Sequence, residues 1–323
     1  MSEPLLQIKN LKCYFPMHGG LLSRRKSYVK AVDGINLEIN RGETLGIVGE
    51  SGSGKSTLAL TIAGLYKPFA GEILFKGISL ANKSGKELRG LMKPIQMVFQ
   101  DPYGSFNPRM TIGTMLEEAM KICLGGKKSD RRSRSLDILR MVGMPEDSVK
   151  RFPHEFSGGQ RQRLSIARAL AVDPEFIILD EPVSALDVSM QAQILNLLKE
   201  LQAKLNLTYL FIAHDVSVVK HMSSRLAVMY LGRIVELMKD ESIDRDAGHP
   251  YTTSLVSSIP TIDEKENCKR KILEGDIPSP INLPSGCRFR TRCEEAGEEC
   301  ERSDPELVRV DEEHHYVACL KRG

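Results

Sequence analysis

The segment GESGSGKST at residues 49–57 constrains this chain more than any other feature. It satisfies the pattern GxxxxGK[ST] and follows TLGIVG (44–49), a short apolar run suited to a strand covered on both faces. Residues 56–65 then read as a helix that ends before Pro68. In that setting Gly49, Gly52 and Gly54 let the backbone around Ser51 bend, so that successive N–H groups point inward. The following helix presents its positive end. The expected ligand is a nucleoside triphosphate. Lys55 is expected to reach the β- and γ-phosphates and Ser56 to ligate Mg²⁺, with Thr57 completing the motif.

The remaining pattern agrees with an α/β chain. Residues 5–15 mix apolar and polar positions as a strand does, and AVDGINLEI (31–39) offers Val32, Ile35, Leu37 and Ile39 to a core. A Gly-rich basic loop is expected over 17–30. FIILD (176–180) and YLFIAH (209–214) read as buried strands separated by a helix over 188–205. Strands alternating with helices predict a mainly parallel sheet. Residues 101–165 change character: polar helical stretches rich in Met and Arg replace the strand pattern. The Pro-rich stretch 277–284 marks a boundary before a cysteine-rich tail.

Magnesium needs a carboxylate besides phosphate oxygens, and Asp180 at the end of FIILD is the candidate. Glu181, next to it, is the candidate general base for the attacking water. His214 closes another apolar strand, where ligands sit in open α/β sheets, and suits a hydrogen bond to the γ-phosphate.

Composition restricts what such an ATPase works on. The longest unbroken apolar run is six residues, 226–231, far short of the ~20 that span a bilayer. The start MSEPLLQIKN lacks a basic n-region followed by an apolar h-region, so a cytoplasmic chain is expected, with any membrane role borne by partners. A net charge of +3 from 45 basic and 42 acidic residues gives no case for nucleic acid as a partner. The basic patches at 24–26 and 127–134 and the acidic stretch 294–313 read as solvated faces. Of seven cysteines, Cys13, Cys123 and Cys268 are isolated, whereas Cys287, Cys293, Cys300 and Cys319 crowd together. In a reducing compartment that clustering favours a metal or cluster over disulfides.

Further segments carry a resemblance. Residues 156–160, FSGGQ, resemble the signature motif of ABC-type ATPases, with Phe156 where Leu is commoner. Gln100 in VFQDP resembles the Q-loop, SALD (184–187) the D-loop and His214 the switch histidine, all in the family's order. The resemblance implies a P-loop NTPase fold: a RecA-like core with a β subdomain, an inserted helical subdomain (about 101–165) and a small Cys-rich C-terminal extension. The nucleotide-binding domain would span 1–248 and the extension 249–323. It also implies that two such domains sandwich ATP head to tail, so that Ser157, Gly158, Gly159 and Gln160, with Asp187, serve the partner's nucleotide. Gln100 would contact Mg²⁺ and the attacking water. An aromatic upstream, Phe15 with Tyr14 as runner-up, would stack on adenine.

The stretch QDPYGSFNP (100–108), HPYT (249–252) continuing to Ser258, Ile259 and Pro260, and PSGCRFRTRC in the tail are similar to ATP-binding subunits of oligopeptide and dipeptide importers, and the long entry YFPMHGGLLSRRKSYVKAVDG (14–34) with GKST rather than GKSV resembles their F type. That resemblance implies an energy-coupling ATPase at the cytoplasmic face of the membrane. Its partners would be a sister ATPase or a second copy, two transmembrane permeases and, indirectly, an extracytoplasmic peptide-binding protein. It also implies a [4Fe–4S] cluster on the four tail cysteines. Their spacing, C-x5-C-x6-C-x18-C, supports a four-thiolate site but leaves zinc open. The alternatives are an importer of nickel or another small solute, a soluble ABC-type ATPase, and a non-catalytic ATP-binding subunit. The intact set Lys55, Asp180, Glu181 and His214 disfavours the last. His314 and His315 are expected at the surface.

Overall fold

The computed structural model describes residues 3–17, 27–81, 83, 85–101, 104–239, 242–257, 275–311 and 314–322. Most of the basic loop expected over 17–30 lies outside them, as do Pro102, Tyr103, residues 258–260 and Cys268.

Along the chain run β1 (Leu6–Met17), β2 (Ser27–Ile39), β3 (Thr44–Val48), α1 (Lys55–Ile62), β4 (Ala70–Phe75), β5 (Ile78–Ser79), α2 (Gly85–Met92) and β6 (Ile95–Val98). Next come α3 (Ile112–Cys123), α4 (Lys128–Met141), α5 (Gly158–Leu170), β7 (Phe176–Asp180), α6 (Val188–Leu205) and β8 (Thr208–Ile212). The last part holds α7 (Val216–Met222), β9 (Arg225–Tyr230), β10 (Arg233–Lys239), α8 (Ile243–Asp246), α9 (Pro250–Ser257), α10 (Glu298–Arg302), β11 (Val308–Arg309) and β12 (Tyr316–Val317).

Two compact units emerge. The first comprises Asn40–Glu43 and Asn82–Ile212. Its parallel strands β6, β7 and β8 pair in that order, with Val98 opposite Leu179 and Asp180 opposite Ile212. Every residue of β7 and β8 is buried, as continuous apolar runs require in a covered parallel sheet. Helix α6 buries Ile194, Leu197, Leu198 and Leu201, one face at helical spacing. Asp187 caps its start by accepting from the Met190 N–H at 3.0 Å, and Asn206 ends it in the left-handed region at φ +52°.

The second unit comprises Glu3–Ile39, Thr44–Ala81 and Ala213–Gly323. It holds an antiparallel sheet in the order β2-β1-β4-β5. β2 starts at Ser27 rather than Ala31 because its pairing with β1 continues to Met17 opposite Ser27. In the same unit β3 pairs in parallel with β9, after which β10, β12 and β11 add on antiparallel. Leu231 and Gly232 join β9 to β10 with φ +42° and +81°, the two-residue hairpin turn whose twist matches its strands. The pairing of β12 with β10, Glu236 opposite Val317, draws the tail into this sheet.

Candidate nucleotide site and the extension beside it

In the second unit, β3 delivers Gly49 and α1 begins at Lys55. Two glycines are obligatory here. A Cβ on Gly54 (φ +106°) would lie 2.1 Å from the Ala31 carbonyl oxygen, and one on Gly49 would lie 2.1 Å from that of Met229. Helix α1 has no side-chain cap at its start. The Lys55 ammonium donates to the carbonyls of Gly49 (2.7 Å) and Glu50 (3.0 Å) and lies 3.4 Å from Ser53 Oγ. Lys55 is buried, whereas Ser51, Gly52 and Ser56 are exposed at the mouth of the loop.

The hairpin tip braces this loop: the Gly232 N–H donates to the Ser53 carbonyl at 2.8 Å, and its own carbonyl accepts from Asp33 at 2.9 Å. On β1, Tyr14 stacks on Phe69 with centroids 4.6 Å apart, while Phe15 meets Tyr66 nearly at right angles, 5.1 Å away. The Tyr14 hydroxyl also donates to Asp33, so Tyr14 is tied down by ring and hydroxyl alike. His214 is exposed, immediately before Asp215, which caps α7 by accepting from the Ser217 N–H at 2.8 Å.

In the first unit, parallel register explains the neighbouring pair. Val98 lies opposite Leu179, and two residues beyond each come Gln100 and Glu181. The Gln100 amide donates to the Glu181 carboxylate at 2.9 Å. Glu181 sits at φ +48°, a strained conformation for a side chain other than glycine, and its N–H donates to the Ile212 carbonyl at 2.9 Å. Asp180 is buried just before it. Ser157 starts α5 through a reciprocal capping box: its N–H donates to Gln160 Oε1 at 3.0 Å, and its Oγ accepts from the Gln160 N–H at 3.4 Å. Ser157, Gly158 and Gln160 are exposed and Gly159 is buried. Phe156, the departure from the commoner Leu, is a buried core residue.

The tail is built from tight turns. The Cys287 N–H donates to the Cys300 carbonyl at 2.8 Å, a closure that Gly286 permits at φ +62°, where a Cβ would lie 2.3 Å from that same oxygen. Cys287, Cys293, Cys300 and Cys319 are free thiols lining one pocket, with His249, Arg290 and Lys321. Burial pushes the Cys287 thiol up to about 11, and the other three cysteines add to the shift. Among the described residues, no three His, Cys, Asp or Glu side chains are gathered closely enough to hold a metal ion.

Sequence reasoning missed several partners of this region. Glu236, buried within apolar β10, accepts from the N–H groups of Gly248 (2.7 Å) and His249 (3.0 Å) and lies 2.6 Å from His315 Nε2. His315 is therefore buried rather than at the surface as expected, and its hydrogen bond to Glu236 raises its pKa despite burial. Arg288 donates to Asp33 and to the Leu231 carbonyl. Arg292 meets Glu50 of the phosphate loop. The arginines stood in CRFRTRC, but only its cysteine spacing was informative without the fold.

Known proteins agree. Residues 32–184 match the family described as "ABC transporter", and residues 235–300 match "Oligopeptide/dipeptide transporter, C-terminal region". The oligopeptide transport ATP-binding protein AppF of Bacillus subtilis is 49% identical over 98% of this chain and 97% of its own length. The chain belongs to the ATP-binding subunits of ABC transporters, in the oligopeptide/dipeptide group. OppF of Haemophilus influenzae, likewise named an oligopeptide transport ATP-binding protein, is 47% identical over 99% of this chain and 98% of its own. Among solved structures, the dimeric ATP-binding cassette MJ0796, in a post-hydrolysis state bound to ADP and Pi, superposes with a TM-score of 0.63. It is 30% identical and covers 72% of this chain and 98% of its own. The ABC-type P-loop α/β fold follows, and ATP with Mg²⁺ is the expected substrate of such a subunit. No helix among the described residues is long and apolar enough to cross a membrane.

Proposed function

We propose that this chain hydrolyses ATP to power the import of dipeptides or oligopeptides through a membrane permease. The observation that carries the reading is the family-typical extension: the oligopeptide/dipeptide C-terminal region matches residues 235–300, within a full-length likeness to peptide transport subunits. That likeness also favours peptides over nickel, and a transporter over a soluble ATPase.

In this reading residues 1–248 form the nucleotide-binding domain, with the helical subdomain at about 101–165, and residues 249–323 form the extension. Lys55 and the amides of Gly49, Ser51, Gly52, Gly54, Ser56 and Thr57 bind phosphate, and Phe15 stacks on adenine. Ser56, Asp180 and Gln100 serve Mg²⁺. Glu181 takes a proton from the water that attacks the γ-phosphorus; the bond to the β–γ bridging oxygen breaks, and ADP and phosphate leave. His214 donates to the γ-phosphate. Ser157, Gly158, Gly159, Gln160 and Asp187 act on the nucleotide of a second ATP-binding subunit, a sister chain or another copy. Two permeases hold the pair at the cytoplasmic face, and a peptide-binding protein delivers substrate from outside.

The resemblance assigns a [4Fe–4S] cluster to the four tail cysteines, although no three of them are gathered closely enough in this structure to hold a metal ion. Their thiols line one pocket. When bound, such a group would supply a compact cross-link among the four thiolates. Zinc is the alternative occupant.

The test is uptake of labelled peptide in cells or vesicles carrying the full transporter with Glu181→Gln. ATP binding persists, while hydrolysis and peptide uptake fall by two or more orders of magnitude. Undiminished hydrolysis removes Glu181 as the base, and intact peptide uptake with loss of nickel uptake removes the peptide reading.

A further inference from the structure

The phosphate loop is gripped from outside its own strand and helix. Glu50, its second residue, donates its backbone N–H to the Tyr251 hydroxyl at 2.8 Å. Its carboxylate takes both terminal nitrogens of Arg292, at 2.7 and 3.0 Å. The pair is bidentate and largely withdrawn from water, the Arg292 side chain being 5% exposed and that of Glu50 26%. Charge-assisted forks of this kind are about twice as strong as neutral hydrogen bonds.

The Arg292 backbone is held as well. The Arg292 N–H donates to the Phe289 carbonyl at 2.9 Å. The Phe289 ring meets Tyr230 and Tyr251 with centroids 5.3 and 5.4 Å away, and those two tyrosines lie 4.7 Å apart. Glu50 therefore joins two tasks: its side chain is anchored to the extension, and its carbonyl accepts from Lys55. Its negative charge would also oppose an incoming triphosphate unless a cation offset it, and Arg292 is the cation placed to do so.

We propose that Arg292 is a positioning residue for the ATPase: acting through Glu50, it fixes the phosphate loop in the shape that receives the nucleotide and cancels the one carboxylate in that loop. The proposal rests on reading residues 49–57 as the ATP site. A tether that merely held the extension in place would change stability and leave nucleotide affinity alone.

Equilibrium binding of a fluorescent ATP (mant-ATP with Mg²⁺) to the full-length chain separates these cases, with circular dichroism and melting followed in parallel. Arg292→Met raises Kd tenfold or more in protein that remains folded. Adding Glu50→Gln to it recovers part of that loss, because the uncompensated carboxylate is gone while the loop stays untethered. Arg292→Lys keeps charge but not the fork and falls between; it is read the same way if Arg292→Met does not fold. A Kd within twofold of wild type in the folded variant, or a double variant no better than the single, overturns the clamp. Lys55→Ala serves as the reference. If it loses binding while Arg292→Met does not, only the clamp falls; if it still binds ATP normally, the phosphate-loop reading falls and takes the clamp with it.

Discussion

Replacing Arg288 by Met should loosen the second unit. Arg288 and Asp33 are each 7% exposed, and the guanidinium donates to both the Asp33 carboxylate and the Leu231 carbonyl. Removing it leaves a buried carboxylate with only the Tyr14 hydroxyl and the Arg233 charge to offset it, and a buried carbonyl without that donor. Breaking one side of a buried ion pair costs about 3–5 kcal/mol. A chain of two compact units has no single unfolding free energy, so the appropriate assay is native-state hydrogen exchange. The amides to follow are Asp33, which donates to Gly232, and Cys287, which donates to Cys300. At about 1.4 kcal/mol per decade, both should exchange roughly two to four decades faster. Acid adds a signature. Burial works to raise the Asp33 pKa, but hydrogen bonds from Tyr14 and Arg288 outweigh it and hold it below the ordinary value. A carboxyl lowered by folding contributes stability above its unfolded pKa and loses it as pH falls through the folded one. Wild type and variant should therefore converge below about pH 4. Acceleration of less than tenfold at neutral pH, or a gap that widens in acid, refutes the reasoning. Asp33→Asn combined with Arg288→Met should recover much of the loss, since no charge is then buried.

Two other outcomes are expected. His249 is enclosed, and burial lowers its pKa to about 4 against the pull of Glu236. Folding thus favours the neutral ring, and stability present above the unfolded value near 6.5 drains away as pH falls toward 4; His249→Asn should flatten that slope in tail exchange, and an unchanged slope refutes it. Anaerobically purified chain should be brown and carry iron and sulfide, with both lost in Cys293→Ser; a colourless protein holding zinc refutes the cluster.

Much of the fold was legible where local pattern decides it. Helix α6 and strand β7 fall on the residues their periodicity marks, since both are buried or half-buried in the way their sequences advertise. The phosphate loop lies between its strand and helix as expected, although α1 ends at Ile62, before Leu65. What the sequence hid was long-range pairing. β2 is longer than its apolar pattern because β1 lies beside it, and the burial of His315 depends on β12 joining β10. Gln100 and Glu181 were each nameable, but their contact follows from parallel register. Arg288 and Arg292 look like surface charge in a cysteine-spaced run, and only their partners Asp33 and Glu50 reveal them.

The bond between Glu50 and Arg292 closes a separation of 242 residues. At about 5–20 residues per second, a ribosome needs roughly 12–50 s to travel that distance. Through that interval a nascent chain already possesses its phosphate loop but lacks the arginine that braces it. Bracing of the loop accordingly waits on residues translated long after the motif itself, and a chain interrupted between the two would carry an intact motif without its anchor.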